Sequence, residues 1–473
     1  MKRACLLFIV ALWANNVCAQ ANAGSPVRLE RLSERVLLLT EDSPMENLVL
    51  AIATKKGIVV VDATSSPITA ALFRAAIEKE FKRNDFNYLI LTHPHWDHAF
   101  GIQSFPEASV IIHENGARPL AGSGAATERI VAMSRDRLNT LKKELATLNP
   151  APERKAEIER DVAFRERIIQ GLSEGFAPTP AALYFSDKMV LNAGDVSFHL
   201  YFFGRAHSGC DIFIHIPEEK ILITGDIFLD QGWLPLFAGM DTLDIPRWIE
   251  VLNDLFAAPA GFSTVIPGHR KPWSREKLAM WKEYIENLWV GVKAAKDEKL
   301  TFEQAATRLP LAERYHYVKE LGHSDEALQR FHRNNITAFW RQLLIPVIPL
   351  MEDTMGRKGL TAAIDQCRAL WKSKPEEYDF SEAVLNRFGY QLLGRENKTG
   401  AIELFGFIVE IYPNSANAHD SLGEAHMANG NKKLAIENYE KSLQLNPANT
   451  NAVEMLKKLR EDQQPPHPAE GRK

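Results

Sequence analysis

Four cysteines in 473 residues leave little for disulfides to do. Cys5 and Cys18 fall in the opening segment, so Cys210 and Cys367 remain for the body of the protein. They lie in what read as different domains, no disulfide is expected between them, and the core must carry stability. The chain also lacks an excess of charge. Its 56 basic and 60 acidic side chains give a net charge of −4, which offers no reason to expect nucleic acid or an anionic membrane as partner. The absence of a basic groove speaks against a nuclease. Past residue 23 there is no apolar run of about 18 residues, so no transmembrane segment is expected in the mature chain. The apolar stretch from Leu343 to Leu350 is short and broken by Pro346 and Pro349. What is present suits an ordinary globular protein, 45% hydrophobic and 25% charged, with length enough for two or three domains at ~150 residues each.

The opening MKRACLLFIVALWANNVCAQA places Lys2 and Arg3 before an apolar run from Ala4 to Ala14. Small-residue cleavage sites follow at Val17-Cys18-Ala19 or Ala19-Gln20-Ala21, the pattern of a signal peptide over 1–21. Asn16 and Val17 make a poor lipobox for Cys18. Export, to a bacterial periplasm, is the expectation.

From residue 27 to about 112 the text reads as strands (Val36–Thr40, Leu48–Ala53, Gly57–Asp62), a helix over Pro67–Lys82, and further strands at Tyr88–Thr92 and Ala108–His113. Buried-looking strands alternating with helices indicate an α/β layered domain. Residues 118–180 change to helical periodicity with dense mixed charge, an insertion of two solvated amphipathic helices that can overhang a neighbouring site. Strand-like text resumes at Met189–Leu191, Val196–Phe203, Ile212–Ile216, Lys220–Thr224 and Ser263–Ile266, and residues 275–345 read as mostly helical. Near the end, Gly389, Ala401, Phe405 and Pro413 recur 34 residues later as Gly423, Ala435, Tyr439 and Pro447. Period and residue types match tetratricopeptide helix–turn–helix units, two of them plus a final helix over Thr450–Glu461. The expected division is a signal peptide at 1–21, a catalytic domain at 27–275 with its insertion, a helical extension at 276–380, repeats at 381–462 and a disordered tail at 463–473.

The stretch LTHPHWDHAFG at 91–101 carries three histidines and an aspartate in six residues, directly after an apolar strand. His93 and His95, two apart, project the same way from an extended segment. Asp97 and His98 sit where the chain turns into a helix, with Asp97 as its expected N-cap. Imidazole and carboxylate are what zinc and similar metals take up, and one cluster supplies only part of a site. Three more strands end on ligand-type residues: His207 in FFGRAHSGCD, Asp226 in ITGD and His269 in VIPGHR. Strand ends are where open α/β sheets put their sites, and Gly225 and Gly268 allow a close approach of backbone.

Together these motifs resemble the metallo-β-lactamase-fold hydrolase superfamily over about residues 27–275. The resemblance implies a four-layer αβ/βα sandwich, here followed by an all-α tetratricopeptide array. Carried over residue by residue, it implies His93, His95 and His207 on one metal and Asp97, His98 and His269 on a second, with Asp226 bridging. That set is most similar to the glyoxalase-II-like and lactonase-like binuclear branches. Zinc β-lactamases proper usually lack the bridging aspartate. Cys210 does not match their zinc-binding cysteine and reads as a small core residue. The resemblance also implies Asp62 as support for the ligands from behind.

The expected cofactor is two zinc ions per chain, with iron or manganese as alternatives. Two such ions share a nucleophilic hydroxide and polarise the electrophile, with Asp97 orienting that hydroxide and passing a proton. The expected function is an exported hydrolase acting on a small-molecule ester, thioester, lactone or related bond. The competing readings are a β-lactam hydrolase, a persulfide-dioxygenase-like enzyme with a single iron, an alkylsulfatase, and an interaction protein whose repeats recruit a partner. Trp96 and Arg270 are candidates for substrate contact, Trp96 balanced against packing under the metal loop and Arg270 against a plain surface charge. His113, His199 and His215 read as ordinary histidines on or beside strands.

Overall fold

The computed structural model describes residues 26–121, 123–147, 150–173, 176, 181–205, 207–228, 244–257, 261–312 and 324–461. The expected signal peptide and the expected disordered tail lie outside them. The described residues fall into two compact units, one reaching from the first strand to Asn335 apart from 292–309, the other comprising 292–309 and the chain from Ile336.

The first unit is built on two sheets. β1 (Val27–Arg31), β2 (Val36–Glu41), β3 (Leu48–Thr54), β4 (Gly57–Val61), β5 (Phe86–Ile90), β6 (Ser109–His113) and β7 (Leu183–Phe185) lie side by side in chain order. They are antiparallel as far as β4 and parallel beyond it. β8 (Lys188–Asn192), β9 (Ser197–Tyr201), β10 (Phe213–Ile216), β11 (Ile221–Gly225), β12 (Thr264–Pro267) and β13 (Trp273–Ser274) form the second sheet, in which only β11 and β12 pair in parallel. β1 and β7 have no counterpart in the sequence reading. Four of the five β1 residues are exposed, so it carries no burial pattern to find.

Side chains alternate across a strand, and here both faces of the first sheet are covered. Val36, Leu38, Leu50, Ile52, Val59 and Val61 face Phe198, Leu200, Ile214, Ile216, Ile221 and Ile223 of the second sheet in one core. Leu37, Leu39, Val49, Ala51, Ile58 and Val60 pack with Ala70, Phe73 and Ile77 of α1 (Pro67–Phe81) in another. This two-sided burial is why β2, β3 and β4 read as continuous apolar runs. α1 starts where the Ser66 side chain accepts from the Thr69 amide and Pro67 takes the first turn; it stops at Lys82 in the left-handed region. On the far side of the second sheet, His215 meets Phe262, which meets Phe256 of the amphipathic helix Ile245–Ala257.

The insertion is a pair of antiparallel helices, α2 (Ser123–Thr147) and α3 (Pro152–Ser173). They are not solvated all round: Ile130, Val131, Phe164, Ile168 and Leu172 form an apolar cluster with Phe100.

In the second unit, helices Glu382–Gly394, Lys398–Ile411, Ala416–Ala428, Lys432–Leu445 and Thr450–Glu461 follow one another. The 34-residue recurrence has a steric basis. A Cβ on Gly389 would lie 2.5 Å from the Phe405 ring, and one on Gly423 would lie 3.1 Å from the Tyr439 ring. Each glycine lets the aromatic of the next helix close onto its own helix. No helix among the described residues is long and apolar enough to cross a membrane.

Candidate metal centre

The site lies where the strands stop. After β5, Leu91 donates to the Ile111 carbonyl and Ile212 donates to that of Thr92, which keeps residues 91–92 extended between the two sheets. The chain then enters the one-turn helix Trp96–Ala99. Its N-cap is His95, with no side-chain cap bond, so the expectation of Asp97 as N-cap is corrected. Asp97 sits in the first turn, where a carboxylate still meets the positive end of the helix, and its side chain is turned into the site instead.

All seven predicted ligand residues come together, in two overlapping groups. His93, His95, His207 and Asp226 make one; Asp97, His98, His269 and Asp226 make the other, with the ligand atoms of each group within 4.8 Å of one another. His95 Nδ1 lies 3.0 Å from both His93 Nε2 and His207 Nε2. Asp226 Oδ2 lies 3.8 Å and 3.6 Å from those two Nε2 atoms. In the second group, Asp97 Oδ2 is 3.4 Å from His98 Nε2 and 3.3 Å from His269 Nε2, while Asp226 Oδ1 is 3.3 Å from His98 Nε2.

These residues fit a pair of metal ions. Ligand nitrogens about 2.0 Å from a tetrahedral zinc stand roughly 3.3 Å apart, close to the spacing found. His98 Nε2 and Asp226 Oδ1 are buried and face each other, yet neither has a hydrogen-bond partner among the described residues. Buried polar atoms without partners are costly, and here both point at the same spot. A Cβ at Gly268 would stand 2.0 Å from Asp226 Oδ1, so only glycine leaves room for that carboxylate.

The far side of each imidazole is tied down. His98 Nδ1 donates to Asp62 Oδ2 at 3.0 Å and His269 Nδ1 donates to the Met45 carbonyl at 2.9 Å, which leaves Nε2 of each as the inward atom. His93 Nδ1 is 3.1 Å from Thr92 Oγ1, and that hydroxyl reaches the Asp62 carboxylate at 2.9 Å. Asn47 donates through Nδ2 to the Asp97 carbonyl at 2.7 Å and to Asp97 Oδ2 at 3.3 Å. Asn47, Thr92 and the Met45 carbonyl escaped the sequence reading, because nothing in a turn such as DSPMEN marks which atom faces the site.

Burial pushes the His93 and His95 imidazoles below their usual range, and neighbouring histidines add to this. Burial alone would raise the Asp97 and Asp226 carboxyls. His98 and His269 nevertheless hold both well below the carboxylate range. In return, the carboxylates overcome the effect of burial on the two histidines, holding His98 well above its usual value and His269 at about 10. The carboxylates thus draw positive charge to the second group, the electrostatics a divalent cation meets.

Trp96 is partly buried and packs, with Met45, against the insertion cluster. Arg270 follows His269 in a left-handed conformation, φ 73°, with its amide donating to the Glu46 carbonyl. Cys210 is buried, as expected of a core residue, and Cys367 likewise; both are free thiols. His113 stacks on Phe202 at 3.8 Å and meets the Ser186 carbonyl, outside both ligand groups.

Residues 44–269 match the profile of the metallo-beta-lactamase superfamily, and residues 416–449 match that of the tetratricopeptide repeat. The stretch that carries both ligand groups is thus the stretch that resembles that superfamily. The alpha subunit of 2,4-dinitroanisole O-demethylase from Nocardioides sp. (strain JS1661) is 32% identical over 153 residues. That stretch is 32% of this chain and 40% of the relative, so well under half of the curated relative is spanned. Among solved structures, a metallo-beta-lactamase from Pontibacter korlensis is 17% identical, covering 55% of this chain and 99% of its own at a TM-score of 0.38. The sec-alkylsulfatase Pisa1 from Pseudomonas sp. is 14% identical, covering 94% and 67% at 0.46.

Proposed function

We propose that the metallo-β-lactamase domain is a binuclear zinc-dependent hydrolase. The observation that carries this is the shared carboxylate: Asp226 belongs to both ligand groups, with Oδ1 towards His98 and Oδ2 towards His93, His207 and His269. His93, His95 and His207 would hold one ion and Asp97, His98 and His269 the other. When bound, two such ions supply an activated water at neutral pH and a Lewis acid for the electrophile's oxygen.

The chain's own contribution is orientation and proton handling. Asp97 is buried, kept ionised by His98 and His269, and aimed by Asn47; in this reading it orients the attacking water and holds its proton for the leaving group. Asp62, Thr92 and the Met45 carbonyl keep the histidine rings in register. The substrate is a small molecule with a hydrolysable ester, thioester or lactone. The name of the O-demethylase relative adds an aryl methyl ether to the compounds worth testing. We also assign the opening segment to export, testable by the N-terminal sequence of the mature protein, and the repeats to a protein partner.

Elemental analysis of the purified protein beside its His98→Ala and Asp226→Ala variants is the test. About two zinc ions per chain, falling in both variants, with hydrolysis in the substrate panel, is the expected result. A single iron that survives Asp226→Ala would overturn it in favour of a mononuclear oxygenase.

A further inference from the structure

The segment from Glu41 to Asn47 connects the helical insertion to the second ligand group. At its near end, the Glu41 carboxylate is completely buried and accepts from Thr64 Oγ1 at 3.1 Å, Ser65 Oγ at 3.0 Å and Thr69 Oγ1 at 2.9 Å. The cation facing it is Arg167 of α3, with Nη2 3.9 Å from Glu41 Oε1 and 3.4 Å from the Asp42 carbonyl. About two helical turns earlier on the same helix, Arg160 reaches the Asp42 carboxylate at 3.7 Å.

In the middle of the segment, the buried Ser43 Oγ accepts from the amides of Met45 and Glu46, setting the turn. At its far end, the Met45 carbonyl takes the His269 Nδ1 proton, the Glu46 carbonyl takes the Arg270 amide, and Asn47 holds Asp97. Asn47 and His269 also form an isolated β-bridge. Two of the three ligands belonging to the second group alone, Asp97 and His269, are therefore steadied by residues 45–47. His93 and His95 of the first group have no hydrogen bond to this segment among the described residues.

We infer that Arg167 and Glu41 are positioning residues for the second metal. The pair of part-buried Arg167 and buried Glu41 fixes the start of the 41–47 segment to the insertion, and the segment fixes the Met45 carbonyl and Asn47 at the ring and carboxylate that would bind that ion. The inference rests on the binuclear reading above and adds a task for the insertion that sequence alone did not suggest. A buried carboxylate with a single facing guanidinium is sensitive to loss of either partner, and partners behind a metal ligand are worth about 10–100-fold in affinity.

The test uses the full chain, titrated with zinc against a competing chelator, with cobalt spectra of the loaded protein and a thermal melt of each variant. Arg167→Lys keeps the charge and loses the planar fork; Glu41→Gln keeps the shape and loses the charge; Arg167→Ala loses both. Lys142→Ala, which removes an exposed insertion pair with Glu166, is the control. The expected result is an unchanged first equivalent of zinc and a second weakened at least about tenfold in Arg167→Ala and Glu41→Gln, with partial recovery in Arg167→Lys and no change in Lys142→Ala. The cobalt spectra of Arg167→Ala and Glu41→Gln should depart from that of the unaltered protein only as the second site fills. Two equally tight equivalents in folded Glu41→Gln and Arg167→Lys overturn the inference and leave the binuclear reading standing, as does equal weakening of both equivalents. Fewer than two equivalents in the unaltered protein overturns both. Should Arg167→Ala not fold, Glu41→Gln and Arg167→Lys decide the matter.

Discussion

Asp62 and His98 meet at 3.0 Å, carboxylate Oδ2 to imidazole Nδ1, and both are almost wholly buried. The other oxygen of Asp62 accepts the Thr92 amide at 2.8 Å, so one carboxylate orients a ring from the second ligand group and the approach to His93 in the first. Asp62 itself has a φ of 63°, a conformation that asparagine also tolerates. Asp62→Asn is therefore a clean test: it preserves the backbone and removes the charge and one acceptor. Metal affinity should fall about 10–100-fold with little change in the melt, read by titration against a chelator. Unchanged affinity would mean that His98 needs no charged partner to hold its tautomer.

Gly268 sits against Asp226 so closely that a methyl group has nowhere to go. Gly268→Ala should displace the Asp226 carboxylate, since the new Cβ would stand 2.0 Å from Oδ1 and 2.8 Å from His98 Cε1. Overpacking of this kind costs ~1–3 kcal/mol, and the larger effect is expected on the site: loss of about one metal equivalent and of hydrolysis. Full metal content in a folded Gly268→Ala protein would show that the carboxylate has another place to rest.

Three of the ligands were legible because they follow apolar strands: His93, Asp226 and His269 stand just past β5, β11 and β12, which read as largely apolar runs. The helix start was misread for a related reason. A lone Asp ahead of an apolar residue looks like a cap, whereas Asp97 is turned inward by Asn47 and two histidines. Periodicity cannot report that competition, since two of those three partners, Asn47 and His269, are 50 or more residues away in sequence. The insertion gave up its two helices through their 3.6-residue pattern. Its grip on the metal loop stayed hidden, because Arg167 is one arginine among many on a highly charged pair of helices.

The two described cysteines should be silent in the native state. Cys210 is held 2% exposed and Cys367 fully buried, and burial pushes each thiol up to about 12. The thiolate is the reactive form, so at pH 8 each should react with a disulfide reagent at least ~10³-fold more slowly than free cysteine. Both should label at once in denaturant. Site-resolved mass spectrometry makes the measurement, and rapid native labelling of Cys210 would show that the loop after His207 opens readily.

Glu41 gives the pH dependence a defined sign. Burial raises its carboxyl above the usual 4.5, against the lowering pull of Arg167 and the hydroxyls of Thr69, Ser65 and Thr64. A group that holds its proton more tightly when folded contributes stability that is complete below pH 4.5 and is lost as the pH rises through the folded value. Each unit of upward shift is worth about 1.4 kcal/mol. Glu41→Gln cannot ionise and keeps an acceptor for the three hydroxyls, so it escapes that loss. Whatever constant cost the substitution brings by leaving Arg167 without its carboxylate, the melting midpoint of Glu41→Gln minus that of the unaltered protein should climb as the pH rises from 4.5 through the folded value of Glu41 and then level off. Melts of both proteins across that range make the comparison. A difference that stays flat would mean that Arg167 and the hydroxyls offset burial fully; one that falls with pH would mean that the buried carboxylate is a net source of stability in its charged form.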